Sequence, residues 1–568
     1  MYKKFFCFLF VTFFLFTNNK AFSQNNRYGG TLYLYTISDP KSFNPIIAKE
    51  TSTTAITRFL FEGLTTIDGI TGEVKPHLAL SWEIAEDGKT FVFKLREDVK
   101  WFDGKSFTAD DVVFTFNQLI YNPAIPNSAA DIFKIGGKPF QIEKIDTYSV
   151  KFTLSAPFAP FLRSMSQEIL PKHILEKFVT EQSFNTVWGV DTVLAEVIGN
   201  GSFKLEKYEP GQMIVLRKNS LYWKKDNEGN RLPYIEKIVF IILKNEDMAL
   251  LKFLEGKIDY YGLRGSDFPI LKPKESTGDF IIYRTGPVFS SSFLFFNLND
   301  ELNSDTGENF IPFKKLEWFS NLNFRKAVAH AMDKQSMIDI VLNGLGSPQD
   351  SALSPAATIF YNPDVRKYQY DLKKAKDILK EAGFFDRNGD GFLEDKEGNT
   401  LEFNLFTNSN STERVEIAGI ILEDLKKIGL KVNFVQLEFN TLVTKLTSTY
   451  DWDAILLGLT GGIEPHFGAN IWLSSGGLHM WHPKQKTPAT SWEKRIDEIF
   501  EEGVSELNIE KRKKLYNEWQ AIIADKVPFI YTVLPENIMA IRKKFGNLKP
   551  TAIGGAFHNI EEIYIKQE

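Results

Sequence analysis

The chain has 568 residues, of which 43% are hydrophobic and 14% aromatic, enough apolar material for several cores and more than one domain. Its 67 basic and 72 acidic residues give a formal charge of −5. If an N-terminal leader containing Lys3, Lys4 and Lys20 is removed, the net charge becomes more negative still. A negative net charge argues against nucleic acid and anionic membrane surfaces as partners.

The first 23 residues are predicted to be an export signal peptide. Lys3 and Lys4 precede an apolar run over residues 5–16, and a small-residue exit ends at Ser23, after which cleavage is expected. That run is shorter than the roughly 20 residues that span a bilayer, and no later stretch is long and apolar enough, so a soluble mature protein is expected. The only cysteine, Cys7, lies inside the run. We therefore expect a freely diffusing periplasmic protein without a lipid anchor, disulfide or cysteine zinc site.

The first elements of the mature chain alternate between strands and tight turns. Leu32 and Leu34 alternate in a strand that gives way to a loop at Asp39-Pro40. A hairpin is expected around Asp87-Gly88, and Thr108 precedes a helix with acidic residues in its first turn.

The middle of the chain reads as α/β. Two antiparallel strands are expected around Pro210-Gly211, and Gly199 and Gly201 indicate a close backbone approach. After these come a buried strand in IEKIVFIIL, a helix in EDMALLKFLEGKIDYYG and a strand in SSFLFFNLN.

Three capped amphipathic helices are predicted in the later region. The first spaces Phe324 to Ile338 at helical intervals and stops near Gly344, and the others end at Gly383 and Gly429. Strands in KVNFVQL and WDAILLGL follow, so this part is expected to form a compact three-layer domain.

Several blocks together resemble the family 5 solute-binding proteins of ABC importers, the group with oligopeptide-, dipeptide- and nickel-binding members. They are LALSWEIAEDGKTFVFKLREDVKWFDGKSFTADDVVFTF, IGNGSFKLEKY, NFRKAVAHAMDKQSM, DLKKAKDILKEAGF and VPFIYTV, in order across nearly the whole mature chain. The resemblance implies an α/β fold of the periplasmic binding protein type II, cluster C-like, with two lobes and an extra inserted domain. The expected segments are 1–23 signal peptide, 27–62 domain I, 63–195 domain II, 196–293 domain I, 294–525 domain III and 526–568 domain I.

The resemblance also implies which loops contact the ligand in the cleft between domains I and III. Carried onto this chain, the positions are Lys41, Ser42 and Phe43 in SDPKSFNP, Phe295 and Asn297 in FLFFNLN, and Thr460, Gly461, Gly462, Ile463 and Glu464 in GLTGGIEPH. Core or turn roles for Phe43 and Phe295 are the alternative.

One departure from the family pattern concerns the late loop. Oligopeptide binders of the family commonly carry an Asp there that pairs with the ammonium of the peptide, whereas this chain has Gly461-Gly462. Glu464 is one expected replacement, and main-chain hydrogen bonding at the two glycines is the other.

Two further ligand classes are kept open by the region after this loop. Trp472 and Trp481 are candidates for stacking on a sugar, although both are as readily explained as rings packed under their own loop. His466, His479 and His482 raise a metal-chelate alternative, because neutral imidazole binds nickel, copper and zinc.

Residues 386–397, DRNGDGFLEDKE, match the EF-hand loop pattern completely. The ligands it predicts for a structural calcium are Asp386, Asn388, Asp390, the Phe392 carbonyl, Glu394 through water, and Glu397. GNTLEFNLFT follows and reads as a turn and a strand, so the exiting helix of a calcium switch is missing. A polar connection without calcium is the other interpretation, and no other cofactor is expected.

The prediction for function is therefore an extracytoplasmic binding component of an ABC importer. It would capture peptides or similar small ligands by hinge closure and deliver them to the membrane permease, with oligosaccharide and then metal chelate as alternatives. No catalytic motif is present, so we expect no enzyme; a secreted hydrolase with a carboxylate pair is the alternative from another class. A monomer is expected.

Overall fold

Separate β-sheets organise the protein in the computed structural model, which describes residues 27–48, 50–127, 129–303 and 306–566. The predicted signal peptide lies outside the described residues. The strands are β1 Thr31–Thr36, β2 Thr65–Ile67, β3 Val74–Pro76, β4 Ala79–Ile84, β5 Thr90–Leu95, β6 Lys134–Ile135, β7 Lys138–Pro139, β8 Gln141–Asp146, β9 Ser149–Thr153, β10 Phe203–Glu209, β11 Met213–Lys218, β12 Lys237–Ile242, β13 Tyr260–Leu263, β14 Phe280–Pro287, β15 Ser291–Phe296, β16 Gly346–Pro348, β17 Glu402–Asn408, β18 Lys431–Leu437, β19 Ala454–Leu459, β20 Ile530–Tyr531, β21 Val533–Arg542, β22 Phe545–Gly546 and β23 Tyr564–Ile565.

Helices cover these sheets and connect their strands. They are α1 Thr51–Thr57, α2 Ala109–Phe114, α3 Phe161–Ser164, α4 Lys172–Thr180, α5 Glu246–Leu254, α6 Phe268–Leu271, α7 Phe313–Ser320, α8 Leu322–Ala331, α9 Lys334–Ser336, α10 Leu372–Glu381, α11 Thr412–Lys427, α12 Phe439–Thr444, α13 Ala469–Trp472, α14 Ser491–Ser505 and α15 Ile509–Lys526. Among the described residues, none of them is long and apolar enough to cross a membrane.

Sheet I carries the first lobe and has the order β1-β12-β11-β10, with β1 and β12 parallel and the other neighbours antiparallel. The predicted close approach at its edge is confirmed. A Cβ on Gly199 would lie 2.0 Å from the Leu60 carbonyl oxygen, and one on Gly201 would lie 2.4 Å from that of Phe59. Only glycine fits at these two positions.

Sheet II, β4-β5-β9-β8, is antiparallel and belongs to the inserted domain. Its predicted hairpin is confirmed, since Gly88 has a φ of +64° between β4 and β5. Phe91 and Phe93 point into a phenylalanine-rich core. The predicted helix at Ala109 forms, and Thr108 and Asp111 make a reciprocal capping box at its start.

Sheet III carries the second lobe and has the order β18-β17-β19-β15-β20, with β17 parallel to both β18 and β19. Helices α8, α10 and α11 pack on one face through residues such as Leu379 and Ile417. Helices α14 and α15 pack on the other face through Phe500 and Trp519. The expected three-layer domain is thus present, and its central strands are covered on both sides.

The chain crosses between the lobes where strands of sheet III meet those of a hinge sheet, β13-β21-β14. Residues 288–290 join β14 to β15, and Thr532 joins β20 to β21. The expected boundaries after residues 293 and 525 differ from these crossings, because β15 begins at Ser291 and β20 still pairs within sheet III.

One predicted helix is wrong in its length. The pattern from Phe324 towards Gly344 indicates a single helix, but α8 ends at Ala331 because Met332 is extended, with ψ of 115°. The Asp333 side chain then accepts a hydrogen bond from the Ser336 amide and caps a new turn. An aspartate that bonds its own backbone competes with continuation of the helix.

Candidate functional site: the recess between the lobes

The carboxyl ends of the parallel strands of the two lobes face each other. Asn410, just after β17, donates from Nδ2 to the Ile37 carbonyl at 2.9 Å and to Ser38 Oγ at 3.0 Å, and both of these residues follow β1. Glu246, just after β12, accepts from the Thr412 hydroxyl at 3.1 Å. In α/β sheets, ligands bind outside the carboxyl ends of the strands. This interlobe recess is therefore the candidate site.

Arg414 lies in the recess without an acidic partner. Its Nη1 donates to Asn408 Oδ1 at the end of β17, and Nη2 lies 3.0 Å from where a Cβ on Gly458 would be. Within the described residues, no carboxylate oxygen comes within 4.0 Å of its nitrogens. Burial lowers its pKa, and the negative charges of Glu246 and Glu413 oppose that effect. A guanidinium in this state is suited to bind an anionic group.

Glu413 stands beside Arg414 in the first turn of α11. Burial, together with the nearby charge of Glu246, raises the pKa of its carboxyl group to about 7. The residue is only partly buried, so this carboxyl group borders the recess and titrates near neutral pH.

Arg58 directly follows α1 in the first lobe. Its side chain is exposed, yet burial lowers its pKa, a combination typical of a group that is surrounded by protein but still reached by water. Its guanidinium lies over the Phe59 ring at 5.3 Å.

The three predicted residues of the first loop have structural contacts. Phe43 is fully buried against the Tyr208 ring. Ser42 Oγ donates to the Trp188 carbonyl at 3.0 Å, and Lys41 is exposed with its ammonium 3.5 Å from Glu50. Of the alternatives that the sequence left open for Phe43, the core role is thus the one observed.

Phe295 and Asn297 lie in the core of the second lobe. The Phe295 ring packs edge-on against Trp452 and Phe529 and is fully buried, because β15 is covered on both faces of sheet III. Asn297 Nδ2 donates to the carbonyls of Tyr450 and Trp452. Neither side chain reaches the recess, so the ligand contacts inferred for them from the family are not seen here.

Two of the predicted ligand-contacting residues in the late loop, residues 460–464, lie against other parts of the chain. A Cβ on Gly461 would lie 2.1 Å from the Phe289 carbonyl oxygen. A glycine at this position therefore lets the late loop lie close to the segment that joins β14 to β15. Gly462 and Thr460 are exposed, and nothing lies within 4 Å of a Cβ on Gly462. Ile463 meets the turn between β2 and β3, where a Cβ on Gly72 would lie 3.5 Å from its Cδ1.

Glu464 is buried and already paired. Arg512 donates to its carboxylate from two nitrogens, at 2.6 and 3.2 Å. The Glu464 side chain also accepts from the His466 amide at 3.3 Å. This pairing argues against its predicted role as anchor of a ligand ammonium, because the carboxylate is neutralised within the second lobe.

Trp472 and Trp481 also belong to the core of the second lobe. Trp481 is fully buried and donates from Nε1 to Glu493 at 3.0 Å, and both indole rings contact Phe529. Other aromatic rings pack against both indoles, which favours the alternative of packing under their own loop over stacking on a sugar.

The three histidines do not converge on a metal site. His466 contacts the inserted domain, with Nε2 3.3 Å from the Ile132 carbonyl. His479 Nε2 lies 3.1 Å from Glu493, and His482 Nε2 lies 3.4 Å from Asp300. In the part of the chain that the structure describes, the only group of three or more potential metal ligands is Asp386, Asp390 and Glu394.

That group lies in the EF-hand-like loop. Oxygen atoms of Asp386, Asp390 and Glu394 come within 4.8 Å of one another. Asn388 points its amide nitrogen at Glu394, at 2.8 Å, and Glu397 is exposed outside the group, with its amide donating to Asp395. The third carboxylate of the group is thus Glu394, at the ninth loop position, whereas Glu397, to which the EF-hand pattern gives the bidentate role, lies outside the group. The carbonyl ligand expected from Phe392 stays a prediction.

Sequence reasoning missed Glu246, Glu413 and Arg414. The signal was present in NSNSTERVE, where charged residues open a helix directly after a strand of the parallel sheet. The sequence alone did not show that Glu246, 166 positions away from Thr412, lies opposite that helix.

Comparison with known proteins gives the same family over most of the chain. The model of "Bacterial extracellular solute-binding proteins, family 5 Middle" matches residues 73–479. A probable ABC transporter-binding protein of Deinococcus radiodurans is 29% identical, covering 88% of this chain and 86% of that protein. The oligopeptide-binding protein AppA of Bacillus subtilis is 29% identical, covering 92% of this chain and 89% of AppA.

Two solved structures extend the comparison. AppA in complex with a nonapeptide superposes with a TM-score of 0.81 at 27% identity, covering 95% of this chain and all of AppA. The periplasmic binding protein MelB of Agrobacterium fabrum, in complex with stachyose, superposes with a TM-score of 0.84 at 22% identity, covering 96% of this chain and 86% of MelB. The second likeness supports the type II periplasmic binding protein fold alone.

Proposed function

Because the chain belongs to the bacterial extracellular solute-binding proteins of family 5, we propose that it captures peptides in its interlobe recess and delivers them to an ABC permease. The relatives are binding proteins and not enzymes. Export to the periplasm behind a cleaved signal peptide, and action as a monomer, are parts of the same proposal.

The observation that supports a peptide ligand is the state of Arg414, which has no acidic partner among the described residues. A peptide offers a terminal carboxylate, which a guanidinium without an acidic partner binds through charge-assisted hydrogen bonds. The exposed backbone at Gly462 adds hydrogen-bonding groups that suit a ligand recognised along its main chain.

The ammonium of such a peptide needs a different anchor from the one the family commonly uses. Glu464 is paired with Arg512, and Gly462 has no side chain. Glu413 is the remaining candidate, because its carboxyl group borders the recess and a bound cation would favour its ionised form.

The experiment is mass spectrometry of the protein after expression in a bacterial periplasm. The intact protein is measured in its native state, and the bound material is then released with acid and measured alone. A ladder of peptide masses supports the proposal. A hexose series moves the assignment to oligosaccharide, and one discrete molecule with nickel or another metal moves it to a metal chelate; either result overturns the peptide proposal. The signal-peptide part is tested by the same intact mass, which should begin after Ser23.

A further inference from the structure

Helix α11 receives its N-terminal cap from the opposite lobe. The cap residue Ser411 makes no capping hydrogen bond with its own side chain. Glu246, in the first turn of α5, instead accepts from the Ser411 hydroxyl at 3.3 Å, the Thr412 hydroxyl at 3.1 Å and the Glu413 amide at 3.4 Å. A carboxylate from the first lobe thus accepts from the Glu413 amide, a backbone donor of the first turn that helices usually satisfy locally.

Arg264 holds Glu246 and the helix start together from the side of the first lobe. Its guanidinium is 11% exposed, lies 4.0 Å from Glu246 and donates to the Thr412 hydroxyl. It is fixed in turn by Asp267, at 2.7 and 2.8 Å, and by Asp247, at 2.6 Å. Glu246 is therefore supported by a cation that itself has a defined orientation.

We propose that Glu246 is a positioning residue for ligand capture, which caps α11 when the lobes close and so orients Arg414 in the recess. The proposal rests on the proposed function, since it concerns the same recess. Glu246, Ser411 and Thr412 form the clasp, a name used here for these three residues.

The clasp acts on both closure and the ligand site. The cap exists only when the two lobes are together, so its free energy favours the closed state. Arg414 lies two residues after Thr412 in the same first turn, so fraying of that turn moves the guanidinium away from Asn408. Binding of a ligand anion at Arg414 and capping by Glu246 then stabilise the same state of the protein.

The test measures closure without requiring a known ligand. Because Cys7 is the only cysteine of the sequence and lies in the predicted leader, spin labels can be attached through Lys257→Cys in the first lobe and Lys380→Cys in the second, both exposed positions. Distances between the labels are measured by double electron–electron resonance on protein stripped of bound material and on protein that retains it. Glu246→Ala and Glu246→Gln are compared with Glu255→Gln, whose carboxylate pairs with Lys252 within the same lobe.

We expect Glu246→Ala to lower the ratio of closed to open protein about fivefold, since loss of an N-cap has roughly that effect on an equilibrium. Glu246→Gln keeps one acceptor oxygen and should give an intermediate value, and Glu255→Gln should match the unmutated protein. Ser411→Ala should add little to Glu246→Ala, because the hydroxyl of Ser411 has then already lost its acceptor. Amide hydrogen exchange at residues 412–415 should quicken most in Glu246→Ala, less in Glu246→Gln and not in Glu255→Gln.

Unchanged label distances and exchange rates in Glu246→Ala would overturn the clasp. If peptides still copurify in that case, the proposed function stands without it. If closure depends on Glu246 and no peptide is bound, the clasp stands and the peptide assignment fails. A fall in melting temperature equal for the Ala and Gln variants, with no change in closure, would assign Glu246 a purely structural role.

Discussion

Glu464 and Arg512 form a buried bidentate ion pair, with Nη2 2.6 Å from Oε1 and Nη1 3.2 Å from Oε2. Both side chains are nearly inaccessible, at 7% and 5% exposure. The pair lies next to the contact between the late loop and the inserted domain, where Ile463 approaches Gly72. Its role is thus to hold the loop and not to meet a ligand.

The first prediction concerns this pair. Glu464→Gln leaves the Arg512 charge buried without a partner, so the free energy of unfolding should fall by about 3–5 kcal/mol. Urea unfolding measures this. Glu518→Gln is the matched control, because its side chain is exposed and its partner Arg495 is partly exposed, and a loss below about 1 kcal/mol is expected there. A large loss of ligand affinity with little loss of stability would restore Glu464 as a ligand anchor.

The second prediction concerns Arg414. Arg414→Gln should reduce affinity for a copurifying peptide by roughly 10- to 100-fold, the range expected for a hydrogen bond to a charged group. Arg414→Lys keeps the charge and should lose less. Isothermal titration with the peptide and with its C-terminally amidated form separates the causes. The amidated peptide should bind the unmutated protein weakly, and the Gln variant should not distinguish the two; equal discrimination in both proteins would exclude a carboxylate contact at Arg414.

The sequence predicted the fold much better than it predicted the ligand site. Strand alternation, turn glycines such as Gly88 and Gly211, and the family blocks were local signals, and they predicted the fold class and most elements. The site was different. Glu464 was predicted to bind a ligand ammonium because the sequence does not show that Arg512, 48 positions later, pairs with its carboxylate. Phe295 was a candidate until the helices on both faces of sheet III enclosed it. Side-chain partners brought together by long-range packing leave no local pattern to read.

The third prediction concerns the pH dependence that His466 confers. Burial lowers the pKa of this imidazole to about 4 from an ordinary value of 6.5, and the Arg512 charge contributes to the lowering. The folded protein therefore holds the neutral ring, and its contribution is complete above pH 6.5 and is lost as the pH falls from 6.5 towards 4. The loss approaches about 3 kcal/mol at the low end.

Urea unfolding between pH 4 and 7.5 measures this dependence. His466→Phe should flatten the profile over that window relative to the unmutated protein. His558→Gln is the control, because that ring lies in the C-terminal segment and not at the contact with Ile132 and Phe158. Glu413 acts in the opposite direction, since its raised pKa favours the folded state at lower pH, so Glu413→Gln is measured in parallel. An unchanged slope in His466→Phe would contradict the assignment.

The fourth prediction concerns calcium in the loop 386–397. The convergence of Asp386, Asp390 and Glu394 leads us to expect that millimolar calcium raises the melting temperature of protein first treated with a chelator. Asp386→Asn and Glu394→Gln should each remove most of that increase, because carboxylate charge determines affinity at such sites.

The EF-hand pattern assigns the closing carboxylate to Glu397, whereas the structure places Glu394 in the group and Glu397 outside it. Glu397→Gln should therefore retain the increase, and its loss in that variant would return the closing role to the twelfth position. No increase in the unmutated protein would leave the loop as a polar connection between α10 and β17.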